Sequence, residues 1–303
     1  MKRLVLLLSC FFVGILNASD SLFFTPQMIA SHLKDYTDEE RQLIEKDLDV
    51  VRGVCSDGTE ESEQKFYLAT AGAPGARKTT ILEKFVHAHP EYQAGTYLDP
   101  DPRTLRFMVH TYYARSLTPL MISSAPSYDE VIRTAYDKWR AASNYIVLTL
   151  LEEAFAANQS VIYGTTSTGA HTAPFFSKLK ERGYEIVLLL CSCPDALRYQ
   201  SVDYRNQVVR FYQSSPEDAL AKGLLFPQRM GAYFTYADTL YFYWSDELFE
   251  PERLAAVWRK GELEIVDREA MDRFIAKYEA DRITLATNGI EVPPFNFFLS
   301  MSR

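Results

Sequence analysis

A chain of 303 residues with a formal net charge of −8 is not built for bulk electrostatic attraction to nucleic acid, although a local basic pocket for phosphates remains open to it. Its 47% hydrophobic and 24% charged residues are those of a globular protein, and its length fits one large α/β domain with helical additions or two small domains. The cysteines (Cys10, Cys55, Cys191, Cys193) form no disulfide framework, since at most one bridge is open to them. Neither they nor the histidines (His32, His87, His89, His110, His171) have zinc-ligand spacing.

The N-terminus reads as an export signal. Lys2 and Arg3 precede an uncharged apolar run from Leu4 to Leu16, and Ala18 offers a small residue at a cleavage point. Residues 1–18 are therefore expected to be a signal peptide, with the mature chain starting near Ser19. The run is too short for a comfortable membrane span, so no stable span is expected after cleavage. Leu7-Leu8-Ser9-Cys10 gives a weaker lipidation reading, because the apolar stretch before Cys10 is very short.

Residues 19–64 read as an N-terminal helical segment. A second helix starts near Asp38-Glu39-Glu40, with Leu43, Ile44, Leu48 and Val51 on one side, and a polar acidic loop follows from Cys55 to Gln64. A short apolar strand, Lys65 to Thr70, then runs into Ala71-Gly72-Ala73-Pro74-Gly75-Ala76-Arg77-Lys78-Thr79-Thr80. Counted from Gly72, this stretch meets the phosphate-loop pattern G-x-x-x-x-G-K-[ST] everywhere except its sixth position, where Arg77 replaces glycine. A helical pattern with Ile81, Leu82 and Phe85 on one face follows. Strand, turn and helix N-terminus together aim backbone N–H groups and a positive dipole end at one point. Residues Gly72 to Thr80 are thus the candidate nucleotide cradle. Lys78 is placed to reach the β- and γ-phosphates of ATP or GTP, and the Thr79 hydroxyl to ligate Mg²⁺. Arg77 admits two readings. Its β-carbon crowds the phosphates or strains the turn, or its guanidinium adds a charge beside the anion. The intact Lys78, Thr79 and helix favour the second.

Further along, Ala94 to Leu98 reads as a strand ending in Asp99-Pro100-Asp101-Pro102, which is also good turn chemistry. Helix is expected over most of 103–157, with 116–127 as a loop. Val161 to Tyr163 is a short buried strand, Phe175 to Arg182 a helix closed by Gly183, and Glu185 to Cys191 a near-continuous apolar strand. Tyr241 to Trp244 is a late strand, and Pro251 to Asp281 is read as helical. This alternation predicts an α/β fold with a doubly wound, mostly parallel sheet. The expected division is a core over 65–245 and a C-terminal helical extension over 246–303.

In this context the chain resembles the zeta toxin family, P-loop small-molecule kinases related to chloramphenicol phosphotransferase, over about residues 66–243. The loop resembles the family's A-G-x-P-G-x-G-K-[ST]. Leu98-Asp99-Pro100-Asp101 resembles its [ND]-x-D element, and Val161-Ile162-Tyr163-Gly164-Thr165 its I-E-G-T. Lys178 to Ile186 resembles its L-K-x-x-G-Y-x-V junction, and Pro194 to Arg205 the helix that carries an active-site arginine. The resemblance implies that Asp101 is the catalytic base, with Asp99 as the alternative. It also implies that Arg205 clamps the transferring phosphoryl group and that Asp99 and Thr165 hold the acceptor. On the residues alone, Thr165 equally caps the following turn, and Arg205 equally is a solvated helix residue; Arg198 and Arg210 share its helix. Lys222 and Arg229 are candidates for a second family arginine. Tyr163 stands where the family has a glutamate, and Ser143 to Val147 offers no counterpart to its earlier helical glutamate. Both carboxylates serve the family's usual UDP-N-acetyl sugar.

The leading expectation is an ATP- or GTP-dependent kinase of a small-molecule hydroxyl, exported as a bacterial toxin or effector. An antitoxin or a host target would be its protein partner. The alternatives are a nucleotide-binding module without turnover and an exported interaction protein whose loop is only a turn. Lys78 and Thr79 argue against the last.

Overall fold

The computed structural model describes residues 23–56, 65–98, 128–208 and 215–300. The signal segment 1–18 with its cleavage point, Asp99 and Asp101, the stretch 103–127 and Arg210 lie outside the described residues.

The sheet is built from β1 (Phe66–Ala71), β2 (Thr96–Leu98), β3 (Val161–Tyr163), β4 (Glu185–Ser192), β5 (Thr239–Trp244), β6 (Arg253–Arg259) and β7 (Glu262–Ile265). Its seven strands run in the order β2-β3-β1-β4-β5-β6-β7. The pairings from β2 through β5 are parallel, and β6 and β7 add an antiparallel edge. From β1 the chain crosses to the β2 edge, returns through β3 and passes over to β4. Strand order therefore reverses around β1. The carboxyl ends beside such a reversal form the crevice where open α/β sheets bind ligands.

The helices are α1 (Pro26–Ser31), α2 (Asp38–Ser56), α3 (Lys78–Ala88), α4 (Tyr128–Ala156), α5 (Thr172–Glu181), α6 (Asp195–Gln207), α7 (Pro216–Gly223), α8 (Leu225–Tyr236), α9 (Arg268–Thr287) and α10 (Phe295–Ser300). They cover both sheet faces, which is why β4 reads as an unbroken apolar run. Ile186, Leu188 and Leu190 enter one core with residues of α2, α4, α5, α8 and α9. Val187, Leu189 and Cys191 enter the other, with Ile81, Leu82 and Phe85 of α3 and Leu197 of α6. Alternate residues of one strand feed opposite faces because successive side chains point opposite ways.

Of the N-terminal helices, α2 joins the first core through Ile44 and Leu48. A reciprocal capping box starts α2: the Thr37 N–H donates to Glu40 Oε2 at 3.1 Å and the Glu40 N–H to Thr37 Oγ1 at 3.3 Å. Against α4, the Ala142 N–H donates to Tyr36 Oη at 3.1 Å, and Arg52 pairs with Glu153 at 3.0 Å. No helix among the described residues is long and apolar enough to cross a membrane.

The C-terminal part corrects the sequence reading. Residues 251–281, expected as helix, contain the hairpin β6–β7 before α9 begins. Arg259 pairs with Glu262, and the intervening Lys260 and Gly261 have φ of 48° and 94°. Two central residues at positive φ make a type I′ turn, whose twist matches that of the strands. The run Leu254-Ala255-Ala256-Val257-Trp258 is too short for its periodicity to separate helix from strand. The helix proper starts one turn after β7, where Asp267 caps it by accepting from the Ala270 N–H at 3.1 Å.

Candidate active site

The phosphate-loop pattern lies at the carboxyl end of β1, wedged between β4, α6 and the loop after β3. The Gly72 N–H donates to Thr166 O at 3.0 Å. A β-carbon on Gly72 would sit 2.3 Å from Cys191 O, and one on Gly75 (φ 83°) would sit 2.7 Å from Arg198 O. Both glycines are therefore demanded by close approach, and Gly75 by its backbone angle as well. Lys78 Nζ donates to Ala73 O at 2.8 Å, so the ammonium folds back over the loop that its own helix follows. Thr79 and Thr80 continue the first turn of α3, whose leading N–H groups have no intrahelical acceptor.

Arg77 stands at the N-cap of α3 in the left-handed conformation, φ 57° and ψ 23°. This is why the pattern calls for glycine there: for an L residue the left-handed region costs about 1–2 kcal/mol. The side chain does not cap the helix. Its guanidinium, expected beside the anion, is taken up by the β5–β6 connection. Nη1 donates to Glu247 O at 3.0 Å, to Glu250 O at 2.9 Å and to Leu248 O. Nη2 lies 2.7 Å from Glu252 Oε1, while Lys84 Nζ is 2.6 Å from Oε2 of the same buried carboxylate.

On the opposite flank, Arg198 of α6 is buried against the loop. Its Nε donates to Pro74 O at 3.3 Å, Nη1 to Asp195 Oδ1 at 2.7 Å and Nη2 to Ala219 O. A β-carbon on Gly223 would meet this guanidinium at 2.3 Å. Lys277 of α9 braces the same corner, 3.2 Å from Asp195 and 2.5 Å from Asp281. Burial pushes the Asp281 carboxyl up, against the pull of Lys277. The sequence pointed to Arg205 on this helix; it lies in the last turn, half-buried. Seven residues beyond Arg198, it shares that residue's face roughly 10 Å further along the axis. Arg198 touches the loop through Pro74 O, and nothing in its sequence neighbourhood singled it out beside Arg205.

Residues 164–169 form the third wall. The Thr165 N–H donates to Thr70 Oγ1 at 3.0 Å, and that hydroxyl donates to Thr165 O at 2.5 Å. Ser167, at φ 48°, donates from Oγ to Thr70 O at 2.7 Å and accepts from Tyr233 Oη at 2.7 Å. Arg229 Nε donates to Thr168 O at 3.2 Å and Gly169 O at 3.0 Å. Thr165 is thus brought to the phosphate loop with its main chain pinned, and Arg229 holds this wall. Tyr163, at the end of β3, packs against the first core.

Cys191 and Cys193 are free thiols. Burial pushes both up, Cys193 to about 12, so neither offers a thiolate near neutral pH. Among the described residues no cluster of three or more His, Cys, Asp or Glu could hold a metal ion.

A model of the zeta toxin family matches residues 53–215, more than half the chain. Among solved structures, the AvrRxo1-ORF1:-ORF2 complex with ATP is similar, with a TM-score of 0.57 at 12% identity, covering 92% of this chain and 94% of that one. The same complex with sulphate ions gives a TM-score of 0.54 at 12% identity, over 89% and 90%. At such identity these likenesses show the fold. The PezAT chromosomal toxin–antitoxin system of the human pathogen Streptococcus pneumoniae has 18% identity over 70% of this chain and 79% of that one, but a TM-score of only 0.46. No curated protein matches the sequence.

Proposed function

The chain belongs to the zeta toxin family, and from that membership and the loop's geometry we propose an ATP- or GTP-dependent phosphotransferase acting on a small-molecule hydroxyl. The observation that carries the reading is Lys78 Nζ resting on Ala73 O, 2.8 Å away, at the start of α3 and the carboxyl end of the central strand. A cation and a row of helix N–H groups converge there, and triphosphate oxygens are the acceptors such a site lacks. On binding, Lys78 would exchange Ala73 O for the β- and γ-phosphates. The Thr79 hydroxyl would hold Mg²⁺, which offsets charge on the phosphates. In the transfer, the acceptor oxygen bonds to the γ-phosphorus as the bond to the leaving diphosphate breaks. The acceptor's proton passes to the Asp101 carboxylate, with Asp99 beside it as the alternative base. Arg205 stabilises the phosphoryl oxygens and Thr165 positions the acceptor.

The AvrRxo1-ORF1:-ORF2 complex holds ATP and a second protein, which supports nucleotide binding and an antitoxin-like partner here. The apolar run after Lys2 and Arg3 supports export. Since ATP is a cytoplasmic substrate, an exported kinase acts in a target cell.

A second reading, nucleotide binding without turnover, is favoured by Tyr163 at the place of the family's glutamate. Turnover of Mg-ATP by the purified chain separates the two. Asp101→Asn is expected to keep nucleotide binding nearly intact and to suppress phosphoryl transfer, because an amide cannot take the acceptor's proton. Transfer undiminished in both Asp101→Asn and Asp99→Asn would remove the base assignment.

A further inference from the structure

Arg77 adopts the left-handed conformation at the loop position where the phosphate-loop pattern calls for its second glycine. Glycine holds that conformation freely, whereas an L residue needs an external hold. The structure supplies one, and its anchor is Glu252.

The Glu252 side chain is only 3% exposed and faces two cations, Arg77 Nη2 at 2.7 Å and Lys84 Nζ at 2.6 Å. Arg77 and Lys84 are seven residues apart and so share one face of α3. A single buried carboxylate is thereby fastened to the N-cap and the second turn of that helix together. The carbonyls of Glu247, Leu248 and Glu250 close around the guanidinium from the same connection. A carboxylate this buried is tolerated only with its cations in place. Moving Arg77 out of the left-handed conformation would therefore strip Glu252 of one partner and three carbonyls of their donor.

We propose that Glu252 is a positioning residue of the phosphate loop, holding through Arg77 the backbone shape in which the loop receives a nucleoside triphosphate. The tether does for arginine what conformational freedom does for glycine. The role rests on the reading of this loop as a nucleotide cradle. Glu252 need not touch the nucleotide, and the effect is confined to chains that carry a side chain at position 77.

The test is a double-mutant cycle on the full chain, titrating Mg-ATP by calorimetry and following melting by circular dichroism. Wild type, E252Q, R77G and R77G/E252Q are compared. E252Q is expected to weaken Mg-ATP binding about tenfold, since the amide loses the charge that holds the guanidinium. R77G/E252Q is expected to bind within about twofold of R77G, because glycine keeps the loop shape unaided. If glutamine prevents folding, E252D carries the same comparison, keeping the charge on a shorter arm. A merely structural Glu252 would lower the melting temperature in both backgrounds without this difference in affinity. Equal losses of affinity in the two backgrounds, or none in either, overturn the positioning role alone. A wild-type chain that binds neither Mg-ATP nor Mg-GTP overturns the nucleotide reading with it.

Discussion

Arg77 shows how far single residues could be read. The sequence located the loop from Gly72 to Thr80, because glycine, lysine and threonine at fixed spacing have few other uses. It did not show where the guanidinium goes, since one of its partners, Glu250, lies 173 residues away along the chain. Arg77→Gly is expected to keep Mg-ATP affinity within about threefold, because the conformation suits glycine and the lost charge was engaged elsewhere. The same change should cost roughly 1–3 kcal/mol of stability in denaturant unfolding, as Glu252 then keeps Lys84 alone. A tenfold or larger loss of affinity would mean that the guanidinium reaches phosphate in the bound state. Arg198 was legible only as one of the two arginines of α6, beside Arg205. Its burial against Pro74 depends on where α7 and the loop close around it.

At the scale of elements, the core strands were legible because parallel strands covered on both faces leave unbroken apolar runs, as β4 does. The helix that follows Asp267 was found, but its start was not. The hairpin before it carries Lys260-Gly261 at the turn, where Asn-Gly or Asp-Gly would have announced a type I′ turn. Lys260 holds φ 48°, so Lys260→Asn is expected to stabilise the fold by about 0.5–1 kcal/mol, visible as a raised midpoint in thermal unfolding. A lowered midpoint would show that the lysine side chain contributes more than its backbone strain costs. The hairpin also positions the site. It extends the sheet past β5, and the connection leading into it is the segment that clasps Arg77.

For the whole molecule, one sheet reversal gathers the candidate site. β1 delivers the phosphate loop, β3 delivers Thr165 and its pinned turn, and β4 leads into α6 with Arg198 and Arg205. These segments are distant in sequence and meet only because the strands lie in the order β2-β3-β1-β4-β5. Alternation of apolar strands and helices made the doubly wound class readable, whereas the three walls around the loop depend on side-chain contacts that no local pattern encodes. On the proposed function, this meeting point receives a nucleoside triphosphate through Lys78. Calorimetric titration of Mg-ATP into the purified chain and into its Lys78→Ala variant tests it most directly. The expected result is saturable binding to the wild-type chain and a loss of about tenfold or more in the variant, since the charge that bridges the β- and γ-phosphates is gone. Equal affinity in the two proteins would contradict it.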